Sequence, residues 1–230
     1  MTTAAPSLRI LGTNREPAEG GMVSRVAAED RRQQLIDAAI RVAEREGIAA
    51  ATTRRIAAEA GARLATVHYC FTSKQELLEG VLTAIITELS EAARGHLRPG
   101  LDAKTLLHDA MRAMWLVVEK EPGKQQLTYE LTHYALRQPG LESFAKWQYE
   151  TSYAACATHL DRVAEAAGIT WSLPMPVVAR MLMTVVDGTV LGWLVDRDSP
   201  SAIAALDYLT DLLATLAVTP QPSGREPSSQ

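Results

Sequence analysis

The chain has 230 residues and a net charge of −4, and 47% of it is hydrophobic, which is enough apolar surface to offset chain entropy and excludes bulk disorder. Its two cysteines, Cys70 and Cys156, exclude a disulfide framework and favour a cytoplasmic setting. No apolar run is read as a bilayer span, and the N-terminus carries Arg9 and Arg15 without the apolar core of a secretory signal, so no membrane partner is expected.

Residues 1–26 mix Thr, Pro, Gly and scattered charge without a period and read as a flexible arm. The first helix is predicted from Ala27 to Glu46, because Leu35, Ala38, Ala39, Val42 and Ala43 recur at helical spacing and Gly47 stands at the C-cap position. Thr53 is read as the cap of a short helix, Arg54 to Ala60, closed by Gly61. A second short helix runs from Leu64 to Cys70, and Phe71-Thr72-Ser73 breaks it. Ser73 then caps a longer helix from Lys74 to about Leu97, ended by Pro99-Gly100. Further helices are predicted at 102–120, 123–137, 140–167, 174–196 and 200–217, with Pro and Gly between them. Residues 218–230 read as a disordered Pro/Ser/Gly tail. The fold class is all-α. A helix-turn-helix unit over 27–80, with its connecting helix continuing to about 97, precedes a larger helical domain over 98–217.

Two short helices joined by a Gly-containing turn form the helix-turn-helix pattern. Its first helix crosses the DNA backbone, and its second lies in the major groove. Ile56, Ala57, Ala60, Val67 and Phe71 supply an apolar seam between the two. Charge agrees: within 53–74, Arg54, Arg55, Arg63 and Lys74 face a single acid, Glu59, although the whole chain is acidic.

The stretch TTRRIAAEAGARLATVHYCFTSKQELLEGVL, residues 52–82, resembles the DNA-binding segment of TetR-family transcriptional regulators, and LIDAAIRVAEREG, residues 35–47, resembles that family's first helix. The resemblance implies that Thr53 and Arg54 approach phosphates or a base. It sets Leu64, Ala65 and Thr66 at base edges and gives His68 and Tyr69 phosphates or thymine methyls. Lys74 would hold a phosphate at a helix start. Arg63 stands where the family often has a capping Ser, and Ala65 replaces a frequent Gly. Leu64 and Ala65 offer few polar groups, so hydrogen-bonded readout is expected to fall to Arg54, Arg63 and Thr66. The implied function is a ligand-responsive regulator, most often a repressor, acting as a homodimer on a double-stranded, pseudo-palindromic operator.

Aromatic and Met residues concentrate after the helix-turn-helix. Met111, Trp115, Tyr129, His133, Tyr134, Phe144, Trp147 and Tyr153 are candidate lining for an effector cavity, and Arg180 is a candidate partner for an effector carboxylate. Such a lining suits a small, mainly apolar, aromatic or acyl-type effector. Tyr149, Cys156 and His159 share the helix that carries Tyr153, with Cys156 read as core or pocket lining. Gly188, Leu191 and Gly192, with Leu206, Leu209 and Leu213 on the final helix, are the candidate dimerisation residues, which would form a four-helix bundle across the dimer. No His, Cys or acid spacing matches a metal signature, and no catalytic constellation or cofactor motif is visible, so the alternative of a helical carrier or enzyme using the same cavity lacks a site.

Overall fold

The computed structural model describes residues 19–220, with side-chain surroundings from residue 28 onward. Among these residues nine α-helices occur in chain order: α1 (Glu19–Glu46), α2 (Thr53–Glu59), α3 (Leu64–Cys70), α4 (Lys74–Arg94), α5 (Ala103–Lys120), α6 (Pro122–Arg137), α7 (Glu142–Ala167), α8 (Met175–Asp196) and α9 (Ser199–Ala214). A 3-10 turn, Ile48–Ala50, links α1 to α2. α1 starts eight residues before Ala27, so the arm is shorter than the sequence indicates, and its residues 1–18 lie outside the described region. The tail's residues 221–230 also lie outside it. Two short strands are not foreshadowed by any alternation in the sequence. β1 (Thr170–Trp171) and β2 (Ala217–Val218) pair antiparallel and tie the end of α9 to the loop before α8.

Local chemistry fixes the helix starts. Thr52, not Thr53, caps α2, accepting a hydrogen bond from the Arg55 amide at 3.2 Å. Ser73 caps α4, accepting from the Glu76 amide at 3.0 Å, and Asp102 caps α5 the same way. Each such cap contributes about 1 kcal/mol. Gly61 turns α2 into α3 with φ of 61°, a left-handed conformation that a side chain would strain.

Two apolar cores form. The first gathers the predicted face of α1 with Ile56 and Ala57 of α2, Val67 of α3, Phe71, and Leu77, Leu78, Val81, Leu82 and Ile85 of α4. It does not stop at the end of α4. Leu127, Leu131 and Ala135 of α6 and Phe144 and Ala145 of α7 complete it, so helices from the C-terminal part pack directly beneath the helix-turn-helix. The second core lies among α5, the C-terminal half of α7, α8 and α9. Its centre is an edge-to-face pair, Trp115 and Trp193, with ring centroids 5.4 Å apart. Outside it, His108 bridges Asp207 and Asp211 of α9, and Arg112 pairs with Asp207 at 2.7 Å, binding α5 to α9.

α8 is more apolar than its place in the chain suggests. An 18-residue window of it reaches a mean hydropathy of 1.5, as apolar as a bilayer span, yet only 28% of that window is buried. Arg180 and Asp187 interrupt it, and its inner face packs in the second core. The remaining apolar face is open.

Candidate nucleic-acid interface and effector cavity

The recognition helix α3 is anchored from below. Val67 and Phe71 are buried, while the Arg32 guanidinium from α1 stacks over the Phe71 ring at 4.3 Å. The same Arg32 donates to the Cys70 carbonyl and to Glu76, each at 3.1 Å, locking α1, α3 and α4 together. The outward face is then set. Ala65, His68 and Tyr69 are exposed, Tyr69 at 83%, and Leu64 and Arg63 stand at the helix start. Thr66 is half-buried beside them. Arg63 occupies the N-cap position of α3, and its side chain makes no cap hydrogen bond.

The basic window is less positive than its composition. Arg55 is turned back toward α1, pairing with Glu46 at 2.7 Å and Glu59 at 3.1 Å. Arg41 and Arg45 also donate to Glu59 and hold its carboxyl down to about 2, with Arg45 the largest cause. Arg54 and Arg63 remain exposed, and neither forms an ion pair among the described residues. Thr53 lies half-buried in the first turn of α2 beside Arg54. Lys74 sits in the first turn of α4, and its ammonium donates to the Tyr134 hydroxyl at 3.4 Å while lying 5.1 Å from that ring's centroid.

A cavity of about 160 Å3 lies between α4, α5, α6, α7 and α8. Its walls are mostly aliphatic and thioether groups, including Leu82, Ile85, Met111, Met114, Leu182 and Met183. Its polar groups come from four helices: Ser90 of α4, Gln125, Thr128, Tyr129 and Thr132 of α6, Gln148, Tyr149, Ser152 and His159 of α7, and Asp187 of α8. Tyr129 donates to the Asp187 carbonyl at 2.9 Å, and Tyr149 donates to the Asp187 carboxylate at 3.1 Å. Burial and the neighbouring Asp187 push the Tyr149 phenol up to about 12 and the Tyr129 phenol higher still. Burial, reinforced by Arg162, pushes the His159 imidazole down to about 4, so it is neutral at pH 7. Burial alone lifts the Cys156 thiol to about 11, leaving it protonated and a poor redox sensor.

Of the nine residues expected to meet an effector, Met111 and Tyr129 line this cavity. The other seven do not, each for a definite reason. Trp115 is packed against Trp193 in the second core, and Phe144 and Trp147 stack on each other, 5.8 Å apart, at the first core. Tyr134 faces Lys74, and His133 is exposed to solvent. Arg180 is exposed and covers the Tyr153 ring at 4.5 Å, neither residue lines the cavity, and among the described residues no arginine or lysine lines it. Aromatic content located the right helices without telling a core face from a cavity face. Sequence reasoning passed over Gln125, Thr128, Thr132, Gln148 and Asp187; the signal available was polar residues spaced three and four apart on helices whose other face is apolar.

The dimerisation residues divide similarly. Leu206, Leu209 and Leu213 are buried inside the subunit against α5 and α8, which removes them from any outer surface. Gly188, Leu191 and Gly192 face outward, and a Cβ on either glycine would meet nothing within 4 Å in the subunit. They continue an exposed apolar strip of Val177, Met181, Val185 and Val195 on α8, with Tyr208 and Leu212 on α9.

A rigid helix-turn-helix seated on a helical body with an internal cavity defines a DNA-binding regulator of the one-component type, in which one chain carries both the DNA reader and the sensor. Comparison with known proteins agrees. Residues 35–81 match the family model for bacterial regulatory proteins of the tetR family. The nicotine-responsive transcriptional repressor HdnoR of Paenarthrobacter nicotinovorans is 32% identical over 187 residues, covering 81% of this chain and 95% of that one. Among solved structures, the multidrug binding protein EbrR in complex with imidazole is 29% identical, with a TM-score of 0.57 over 85% of this chain and 98% of its own. A TetR-family protein of Streptomyces coelicolor A3 is also 29% identical, with a TM-score of 0.59 over 80% and 98%. This chain belongs to the TetR family of transcriptional regulators, whose members are regulators and not enzymes.

Proposed function

We propose that this regulator is a repressor that acts in the cytoplasm as a homodimer on a pseudo-palindromic operator and is modulated by a small, largely apolar effector. The single observation that carries the reading is that cavity and DNA reader share helices. α6 lines the cavity with Thr128, Tyr129 and Thr132 on one face and fills the helix-turn-helix core with Leu127, Leu131 and Ala135 on the adjoining face. Its two ends are tied to α4: Lys124 pairs with Glu88 at 2.7 Å, and Tyr134 accepts from Lys74. An effector that displaces α6 therefore acts on α4 and on the helix-turn-helix together. Its leverage is its differential affinity for the DNA-bound and released conformations. The nicotine response of HdnoR supports a ring-containing effector.

Two recognition helices must be presented about 34–36 Å apart, which requires a second copy. The exposed α8–α9 strip is the face we assign to it. Footprinting on promoter DNA around the protein's own gene should give one protected pseudo-palindrome, and sedimentation should give a dimer. Leu212, 65% exposed, makes Leu212→Glu a surface change that should yield a folded monomer with weakened operator binding. A Leu212→Glu protein that remains dimeric would move the interface elsewhere, and protection without sequence preference would overturn the operator reading.

A further inference from the structure

Two acceptors stand out in the cavity wall, the Asp187 carboxyl group and the Gln148 amide oxygen. Among the described lining residues Asp187 is the sole carboxyl group, no Lys or Arg lines the space, and His159 is neutral. Asp187 forms no ion pair among the described residues; its sole side-chain partner is the Tyr149 hydroxyl on one carboxylate oxygen. Of the four aliphatic hydroxyls lining the cavity, Ser90, Thr128, Thr132 and Ser152, three have their protons committed. Those of Thr128, Thr132 and Ser152 go to the carbonyls of Gln125, Thr128 and Gln148, leaving lone pairs behind. Gln148, only 5% exposed, donates through Nε2 to the Thr128 carbonyl at 3.1 Å, and its Oε1 is buried with no partner. That donor bond fixes the amide's orientation, so the orphan atom is the oxygen. An unmet buried acceptor costs free energy in the empty protein and marks where a ligand donor belongs.

A carboxylate and an orphan amide oxygen set in an aliphatic, thioether and phenol frame match a ligand with a positive charge and N–H donors on an apolar body. We infer that the effector is a hydrophobic organic cation, a protonated amine or amidine on an aryl or alkyl skeleton, held by Asp187 as counter-ion and by Gln148 as hydrogen-bond acceptor. The inference rests on the effector-cavity reading above and adds the ligand's charge and the two residues that select it. It also reverses the expectation of a carboxylate effector paired with Arg180, because that guanidinium lies outside the cavity and an anion would meet Asp187 instead. The cavity accepts a single ring, its volume being close to one that holds benzene in an engineered protein core.

The test uses three matched series at pH 7 on the full-length protein: benzylamine, 2-phenylethylamine and 4-phenylbutylamine, the corresponding alcohols, and the corresponding carboxylates. Calorimetry or ligand-observed NMR gives the affinities, and operator binding is measured in parallel. The amines should bind about 10- to 100-fold more tightly than their alcohols, and the carboxylates least. Asp187→Asn keeps an acceptor for Tyr149 and should remove most of the amine's advantage while leaving alcohol binding within about twofold. Gln148→Leu should lower amine affinity by a smaller factor. Alcohols or carboxylates binding as well as amines, or an Asp187→Asn protein with unchanged amine preference, would overturn the charge assignment and leave the cavity reading standing. Absence of binding in all three series would overturn both. Thermal melts of each variant confirm that a loss is not unfolding.

Discussion

Phe144 offers a decisive test of how the two cores are divided. Its ring is fully buried, sits on α7, and packs at the first core with Leu127 and Leu131 of α6 and the apolar face of α4. Phe144→Ala removes a buried aromatic side chain whose transfer out of water contributes about 1.5–3 kcal/mol. If the surrounding helices relax only partly, a residual void of about 80 Å3 adds roughly 2 kcal/mol at about 24 cal/mol per Å3. The expected loss is therefore about 3–5 kcal/mol, or a fall in Tm of roughly 6–20 °C for a chain of this size. Denaturant melts followed by far-UV circular dichroism, at matched protein concentration, measure it. Met114→Ala is the control. Met114 lines the cavity, so its truncation widens an existing space and should cost distinctly less. Operator affinity should fall with Phe144→Ala at temperatures where the second core persists. A cost below about 1 kcal/mol would show that Phe144 faces open space and that α7 does not support the DNA reader.

Lys74→Ala should weaken binding to specific and random DNA alike and lower the salt slope by about 0.9 for each phosphate left without its cation, whereas Thr66→Ala should cost up to roughly 1–3 kcal/mol of preference at one base pair. Equal effects of both on affinity, with neither altering preference, would refute the two roles. Stability should also fall in acid in two windows. His159 titrates near 4 when folded and near 6.5 when unfolded, so between those values only the unfolded chain takes up the proton and stability drops as pH falls; His159→Gln should flatten that window. Glu59, held down to about 2 from an ordinary 4.5, adds a loss as pH falls from about 4.5 toward 2, and Glu59→Gln should shrink that loss without abolishing it, because the Glu46, Glu76, Asp102, Asp198 and Asp211 carboxyls are also held down.

The DNA-binding half was legible because its constraints are local. Seven-residue helices, Gly61, and the apolar positions of α1 follow directly from spacing, and α3 and the start of α4 lie where the sequence puts them. The cap of α2 shifted by one residue because Thr52 and Thr53 are chemically equivalent and only backbone geometry chooses between them. The cavity half was legible as helices but not as faces. Phe144, Trp147 and Tyr134 belong to the same helices as Tyr129 and Tyr149, yet point to another core, and which way each helix is rolled depends on long-range packing. The final helix shows the same ambiguity. Its Leu stripe is what any buried amphipathic helix carries, so it could not distinguish packing within a subunit from packing between two.

The two-faced character of α6 also bears on how such a protein can change. Pro99-Gly100 looks like a natural splice point, with a reader before it and a sensor after it. A chimera joined there would nonetheless seat a foreign α6 and the start of a foreign α7 beneath the native helix-turn-helix, because Leu127, Leu131, Ala135 and Phe144 travel with the sensor. Swapping sensors by recombination therefore demands refitting the reader's foundation. Stepwise substitution at Thr128, Tyr129 and Thr132 does not, since those side chains line the cavity from the neighbouring face of the same helix and are not part of the reader's core. New chemical specificity is thus more accessible to this architecture through point changes along one face of α6 than through exchange of whole modules.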